Sequence, residues 1–116
     1  MTDFQDFLRR ENGSAYVAIG EFKPGKFQAA EELFEQAVAT YGHGFEGAYL
    51  LQEPGTDRGI AVILWDSVTD MEENQTAAHE AIIKQMNPLF VVKPETTIYE
   101  IACSVTPADL TPEVSA

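Results

Sequence analysis

Cysteine is nearly absent from this sequence: Cys103 is the only one in 116 residues. A single thiol closes no intrachain disulfide and builds no cysteine-based zinc site, so the chain must fold on its apolar core alone. Basic residues are scarce too, seven Lys and Arg against nineteen Asp and Glu, for a net charge of −12. A field of that sign repels phosphate backbones and anionic bilayers, which argues against nucleic acid and membrane as partners. It could steer a cationic ligand, although charge of this kind also serves solubility. No apolar stretch reaches the roughly 18 residues of a membrane span. The opening MTDFQDFLRR does not have the pattern of a signal peptide. A reducing, cytoplasmic setting is therefore expected. Also missing are a Gly-rich phosphate loop, a GxSxG elbow and an HExxH pair, the common sequence marks of catalysis.

What is present is a globular composition, 45% hydrophobic and 22% charged, in a length that suits one domain. Residues 3–11 can form a short helix that stops at Asn12 and Gly13. AYVAIGEF, residues 15–22, reads as a strand closed by Pro24 and Gly25. From Lys26 to Tyr41 the period changes. Phe27, Ala30, Phe34, Ala37, Val38 and Tyr41 recur at steps of three and four, while Glu31, Glu32 and Glu35 turn outward, which predicts an amphipathic helix. FEGAYLLQ (45–52) and IAVILWD (60–66) form two further strands, joined by the turn-rich EPGTDRG as an antiparallel hairpin. Ser67 followed by Asp70 offers a capping pair for a second long helix, running to about Met86 before Pro88. TTIYEIACSV (96–105) supplies the fourth strand.

The order is β-α-β-β-α-β, the split pattern of α+β ferredoxin-like folds: a four-stranded antiparallel sheet with two helices on one face. The domain spans 15–105, preceded by a short helix and turn in 1–14 and followed by a polar, proline-bearing tail in 106–116 that is expected to be mobile. The strands are apolar on more than one face, yet the chain has no third long helix to cover the second side of the sheet. A second copy packed face to face is the economical cover, which predicts a homodimer through the sheet face.

Several stretches resemble the antibiotic biosynthesis monooxygenase domains, which are dimeric α+β barrels of about this length. They are KPGK opening the first helix, GHGFEGAYLLQ leading into the second strand, and VILWDSVTDMEEN, where a Trp and an acid–Ser pair precede an acidic helix start. The resemblance covers residues 15–105. It implies a cofactor-independent oxygenase whose substrate, often a polycyclic phenol, is held between sheet and helices and itself reacts with oxygen. It implies no protein-bound metal or flavin. A related haem-degrading branch carries an Asn on the first strand and a Trp on the second long helix. Those positions fall here near Ala18 and Asn74, and His79 comes about a turn before the branch's ligand histidine, so the pattern speaks against haem.

Along the predicted second helix, Met71, Gln75, Ala78, Ile82, Gln85 and Met86 form one stripe, with Asn74 at its edge and His79 on its shoulder. Amides on an apolar stripe need partners, since burying one unpaired costs about 1–3 kcal/mol. They either line a ligand pocket or stay wet at the ends of the helix. His79 is the candidate catalytic base, titrating near neutrality, or else a surface residue. Substrate contacts are expected from Asn74, Gln75, Trp65 and Tyr49. Trp65 can equally be read as rim packing, and the sequence does not say which of Tyr16, Tyr49 and Tyr99 face the helices. His43, between two glycines, reads as a loop residue, and Cys103 as a buried, inert thiol. No metal site and no cofactor are expected. The competing readings are an oxygenase acting on a hydrophobic or aromatic small molecule, a non-catalytic binding or stress-related module, and a minor haem-binding alternative.

Overall fold

The computed structural model describes residues 13–110, so the expected helix at 3–11 and the last six residues of the tail lie outside it. In chain order the elements are β1 (Ser14–Glu21), α1 (Phe27–Val38), β2 (Phe45–Gln52), β3 (Arg58–Trp65), α2 (Val68–Glu73), α3 (Ala77–Met86), a 3-10 turn at Asn87–Leu89, β4 (Glu95–Glu100) and α4 (Pro107–Leu110). The sheet is antiparallel in the order β2-β3-β1-β4. This is the ferredoxin-like α+β arrangement, with helices packed on one face.

Local chemistry fixes the joints. Gly25, with φ of 75°, turns the chain out of β1, and the Lys26 amide closes the turn on the Lys23 carbonyl at 2.9 Å. Helix α1 buries Phe27, Ala30 and Ala37 along one stripe. Gly44 ends the next turn at φ 86°, and a Cβ there would collide with the Asp70 side chain. Only glycine suits that corner, on both counts. The β2–β3 hairpin turns over Gly55 at φ 78° and is closed by the Glu53 amide on the Arg58 carbonyl at 3.0 Å.

Packing divides into two clusters. Phe22, Phe27 and Ala30 form one, joined by Leu50, Met86, Leu89 and Phe90. Ile63, Trp65 and Met71 form the other, joined by Tyr16, Phe34, Tyr41 and Phe45. The opposite sheet face is bare in places. Register puts Val17, Val62 and Tyr49 in one row, and Ile19, Ile60 and Leu51 in the next. Ile19, Tyr49, Leu51 and Tyr99 are 48–60% exposed there.

Three expectations change. The second long helix is not continuous: α2 stops at Glu73 and α3 starts at Ala77, with Asn74, Gln75 and Thr76 between. Asn74 is turned away to bind the α1–β2 turn, and the Thr76 hydroxyl caps the new helix by accepting from the His79 amide at 3.3 Å. The stripe drawn on one helix is therefore re-phased at the break. Strand β4 ends at Glu100 rather than residue 105, because β1 begins at Ser14 and the last link is the Ile101 amide on the Gly13 carbonyl at 2.9 Å. Cys103 falls beyond that end and is exposed, not buried. In the tail, Thr106 and Asp109 cap the start of α4 reciprocally, the Thr106 amide donating to Asp109 Oδ2 at 2.7 Å and the Asp109 amide to Thr106 Oγ1 at 3.4 Å. Those hydrogen bonds lower the Asp109 carboxyl pKa.

Candidate active site

Between the sheet and helices α1 and α3 lies a cavity of about 270 Å3. Its floor is low because the sheet is made of small residues there. Ala18 pairs with Ala61 across β1 and β3, and Gly20 with Gly59. A Cβ at Gly20 would come to 2.9 Å from a ring carbon of Phe90, and one at Gly59 to 2.9 Å from a ring carbon of Phe27. The glycines thus let those rings lie down on the sheet and close one end. Phe22 stacks on Phe90 at 4.4 Å and meets Phe27 edge-on at 5.4 Å.

The other end is aromatic but carries polar atoms. Tyr41 follows α1 and meets Trp65 edge-on at 4.7 Å and Phe45 at 5.3 Å. Its hydroxyl is 3.0 Å from His79 Nε2, and the two rings lie 5.3 Å apart. His79 occupies the first turn of α3, and with Ile83 and Met86 it forms the helix's wall of the cavity. Burial pushes the Tyr41 hydroxyl up to about 12, with the nearby Tyr16 adding to the rise. Burial also lowers the His79 pKa, partly opposed by the Glu80 carboxylate. Both groups are therefore neutral near pH 7. His79 Nδ1 is buried without a hydrogen-bond partner. Of the residues lining the cavity, Glu80 is the one with a carboxylate, and none is Lys or Arg.

The expected site residues separate on this geometry. His79, Gln75 and Trp65 line the cavity together. Trp65 is only 2% exposed and closes the end of the chamber as packing, consistent with its place as the last residue of β3. Asn74 and Tyr49 do not join them. The Asn74 side chain is used up within the fold: Oδ1 accepts from the Gly42 amide at 2.8 Å, and Nδ2 donates to the carbonyls of His43 and Asp70 at 3.0 and 2.8 Å. Tyr49 points from the opposite face of the sheet and is 60% exposed. His43 is a surface residue 3.7 Å from the Asp70 carboxylate. Tyr16 and Tyr41 do line the cavity. Tyr41 was legible only as one apolar step of the α1 stripe, because its hydroxyl partner lies 38 residues away. Among the described residues, no group of three or more His, Cys, Asp or Glu side chains could hold a metal ion.

No family model matches the chain, and no curated protein matches it in sequence. Solved structures do match its fold. A single-site variant of SnoaB, a cofactor-independent oxygenase from Streptomyces nogalater, superposes with a TM-score of 0.71 at 15% identity, covering 81% of this chain and 97% of that one. Rv0793 from Mycobacterium tuberculosis gives 0.70 at 13% identity, covering 82% of this chain and 100% of its own. A Chloroflexus aurantiacus protein, named a candidate antibiotic biosynthesis monooxygenase, gives 0.70 at 15% identity over 80% of this chain and 96% of that one. At such identities the likeness establishes a shared fold, the α+β architecture of these monooxygenase-type proteins, and nothing finer.

Proposed function

We propose that this chain is a cofactor-independent oxygenase that acts on a hydrophobic, aromatic small molecule in the cavity between sheet and helices. The observation that carries the reading is the chamber itself, apolar along its walls with a Tyr41–His79 pair at one end. A mostly apolar pocket with a few convergent polar groups is the usual form of a small-molecule site. The shared fold with SnoaB, itself a cofactor-independent oxygenase, supports the reaction class.

The chemistry asks little of the protein. An anthrone-like substrate loses a proton from its methylene carbon, and the electron-rich carbanion passes electrons to dioxygen. A carbon–oxygen bond forms, the second carbon–hydrogen bond breaks as the oxygen–oxygen bond cleaves, and the products are a carbonyl and water. Carbon is oxidised and dioxygen reduced. The protein holds the substrate, keeps water out and hydrogen-bonds the oxygen on which negative charge gathers. Both methylene hydrogens end in the water released, and His79, kept neutral by burial, holds the Tyr41 hydroxyl in place through Nε2.

A binding module is the second reading, and one feature favours it: His79 Nδ1 has no partner, so no carboxylate orients the ring as in many catalytic pairs. Oxygen uptake separates the two. Incubating the protein with a panel of anthrone-like phenols should raise uptake above buffer, and His79→Leu, which cannot bond the Tyr41 hydroxyl, should lower the rate. Saturable binding without any uptake across the panel would leave the module. We further propose that the working form is a homodimer closed over the exposed sheet face, in a reducing cytoplasm that suits the free, exposed Cys103.

A further inference from the structure

At the polar end of the cavity, the residue that stands out from the sequence is His79, yet neither of its nitrogens is offered to a ligand. Nε2 is engaged with the Tyr41 hydroxyl at 3.0 Å, and Nδ1 is buried with nothing to bond. The unused hydrogen-bonding capacity sits one group further on. A phenolic oxygen has one proton to donate and two lone pairs, so a single bond to His79 leaves Tyr41 room for another partner. Tyr16 also lines the cavity and lies close enough to influence Tyr41, and its hydroxyl makes no hydrogen bond with another described residue.

We infer that Tyr41, with Tyr16 beside it, is the group that grips the ligand, that the ligand presents an acceptor oxygen to it, and that His79 is a positioning residue behind it. The inference rests on the cavity being the ligand site, as proposed above, and adds which residue makes the contact and what the ligand must carry.

The packing supports this division of labour. The Tyr41 ring is held from several sides, edge-on to Trp65 at 4.7 Å, against Phe45 at 5.3 Å and beside His79 at 5.3 Å. A ring so enclosed can place its hydroxyl with little loss of freedom on binding. When the Nε2–H of His79 donates to the Tyr41 oxygen, the phenolic proton is left to point at the ligand. That arrangement leaves Nδ1 as an enclosed lone pair rather than an enclosed N–H, and orphaned buried N–H groups are the rarer of the two kinds of unpaired group. A hydroxyl whose ionisation is pushed up to about 12 stays protonated and donates. No cationic side chain lines the chamber to receive a carboxylate or phosphate. A neutral carbonyl or phenol oxygen on an aromatic frame fits what remains.

Two probes of one shape test this, fluorenone, which carries a ketone, and fluorene, which does not. Binding is read by NMR titration of the full chain. The wild type should bind fluorenone about fivefold more tightly than fluorene, the worth of one neutral hydrogen bond. Tyr41→Phe should erase the preference and leave fluorene affinity unchanged, the latter showing that the ring and the cavity are intact. His79→Gln, which can still bond the phenol, should keep most of the preference, and His79→Leu should lose it. The inference is overturned if Tyr41→Phe keeps the preference while both His79 variants abolish it, since the imidazole would then be the contact. Equal affinity of the two probes for the wild type overturns it as well, while leaving the cavity a ligand site. Binding of neither probe removes the cavity reading itself, and this inference with it.

Discussion

Asn74 ties three parts of the chain together with one amide, and its truncation should be felt as stability rather than as ligand affinity. Asn74→Ala leaves the Gly42 amide and the His43 carbonyl without their partner. At roughly 1 kcal/mol net for each hydrogen bond, and more where a group is left buried and unpaired, the expected cost is about 2–4 kcal/mol in urea unfolding. Asn74→Asp should rescue little of it, because a carboxylate oxygen would then face the two carbonyls that Nδ2 now serves. Unchanged fluorene affinity in whatever folded fraction remains would show that the amide is structural. His79 makes a second residue-scale prediction. Its folded pKa lies below the ordinary value of 6.5, so between the two values the unfolded chain binds more protons than the folded one. Stability from this group is fully present above about 6.5 and is lost as pH falls through the folded pKa. Thermal unfolding from pH 7.5 down to 5.5 should therefore lower the melting temperature more in wild type than in His79→Gln. An identical fall in both proteins would mean that the ring titrates as it does in water. The sequence singled out His79 and Gln75, both of which line the cavity, because both residue types are conspicuous on an apolar helix. It could not reveal Tyr41, whose helical spacing makes it look like core and whose role depends on a partner brought near only by the fold.

At the scale of elements, the Ser67–Asp70 pair is the joint that the chain itself announces. Ser67 Oγ accepts from the Asp70 amide at 3.1 Å and donates to Asp70 Oδ2 at 3.0 Å, fixing the start of α2 just where β3 ends. Ser67→Ala should cost about 1 kcal/mol, the usual worth of an N-cap, measurable as a shift of the urea midpoint at unchanged slope. A changed slope would mean instead that more than the cap had moved. Strands β1 to β3, the hairpin and α1 were legible because each has a strong local signature, apolar runs bounded by turn residues in the strands, Gly55 in the turn and a stripe of Phe27, Ala30 and Ala37 in the helix. The break between α2 and α3 was harder to see. Asn74, Gln75 and Thr76 are tolerated within helices, and the choice against helix is made by the long-range grip of Asn74 on the α1–β2 turn. The remaining local clue was Thr76, a second capping residue in mid-pattern. Strand β4 was over-extended for a related reason. Ile101, Cys103 and Val105 alternate as a strand would, but a strand exists only as far as its neighbour reaches, and β1 starts at Ser14.

For the whole molecule, the sheet's second face decides the state of assembly. Four large apolar side chains there, Ile19, Tyr49, Leu51 and Tyr99, are about half exposed, and Val17, Ile60, Val62 and Leu64 lie among them half-buried. A contiguous apolar surface of this kind is uncommon on a protein that stays alone. With a twofold partner, the same patch on each copy would cover the other, so each apolar side chain of the face would be buried in both copies. The proposed dimer therefore predicts sedimentation at micromolar concentration with twice the 12.8 kDa mass of the chain. Val62 sits in the middle row, between Val17 and Tyr49. Val62→Glu places a carboxylate on each side of the twofold contact, and two unpaired charges buried together cost several kcal/mol. At about 1.4 kcal/mol for each tenfold step, that is enough to weaken association at least a hundredfold and bring the variant to single-chain mass. Helices α1 and α3 lie on the other side of the sheet, so the variant's far-UV circular dichroism and its fluorene binding should persist if the cavity is complete within one chain. A wild type that sediments as one chain throughout that range would remove the dimer. A Val62→Glu protein that stays paired would move the contact elsewhere on the surface.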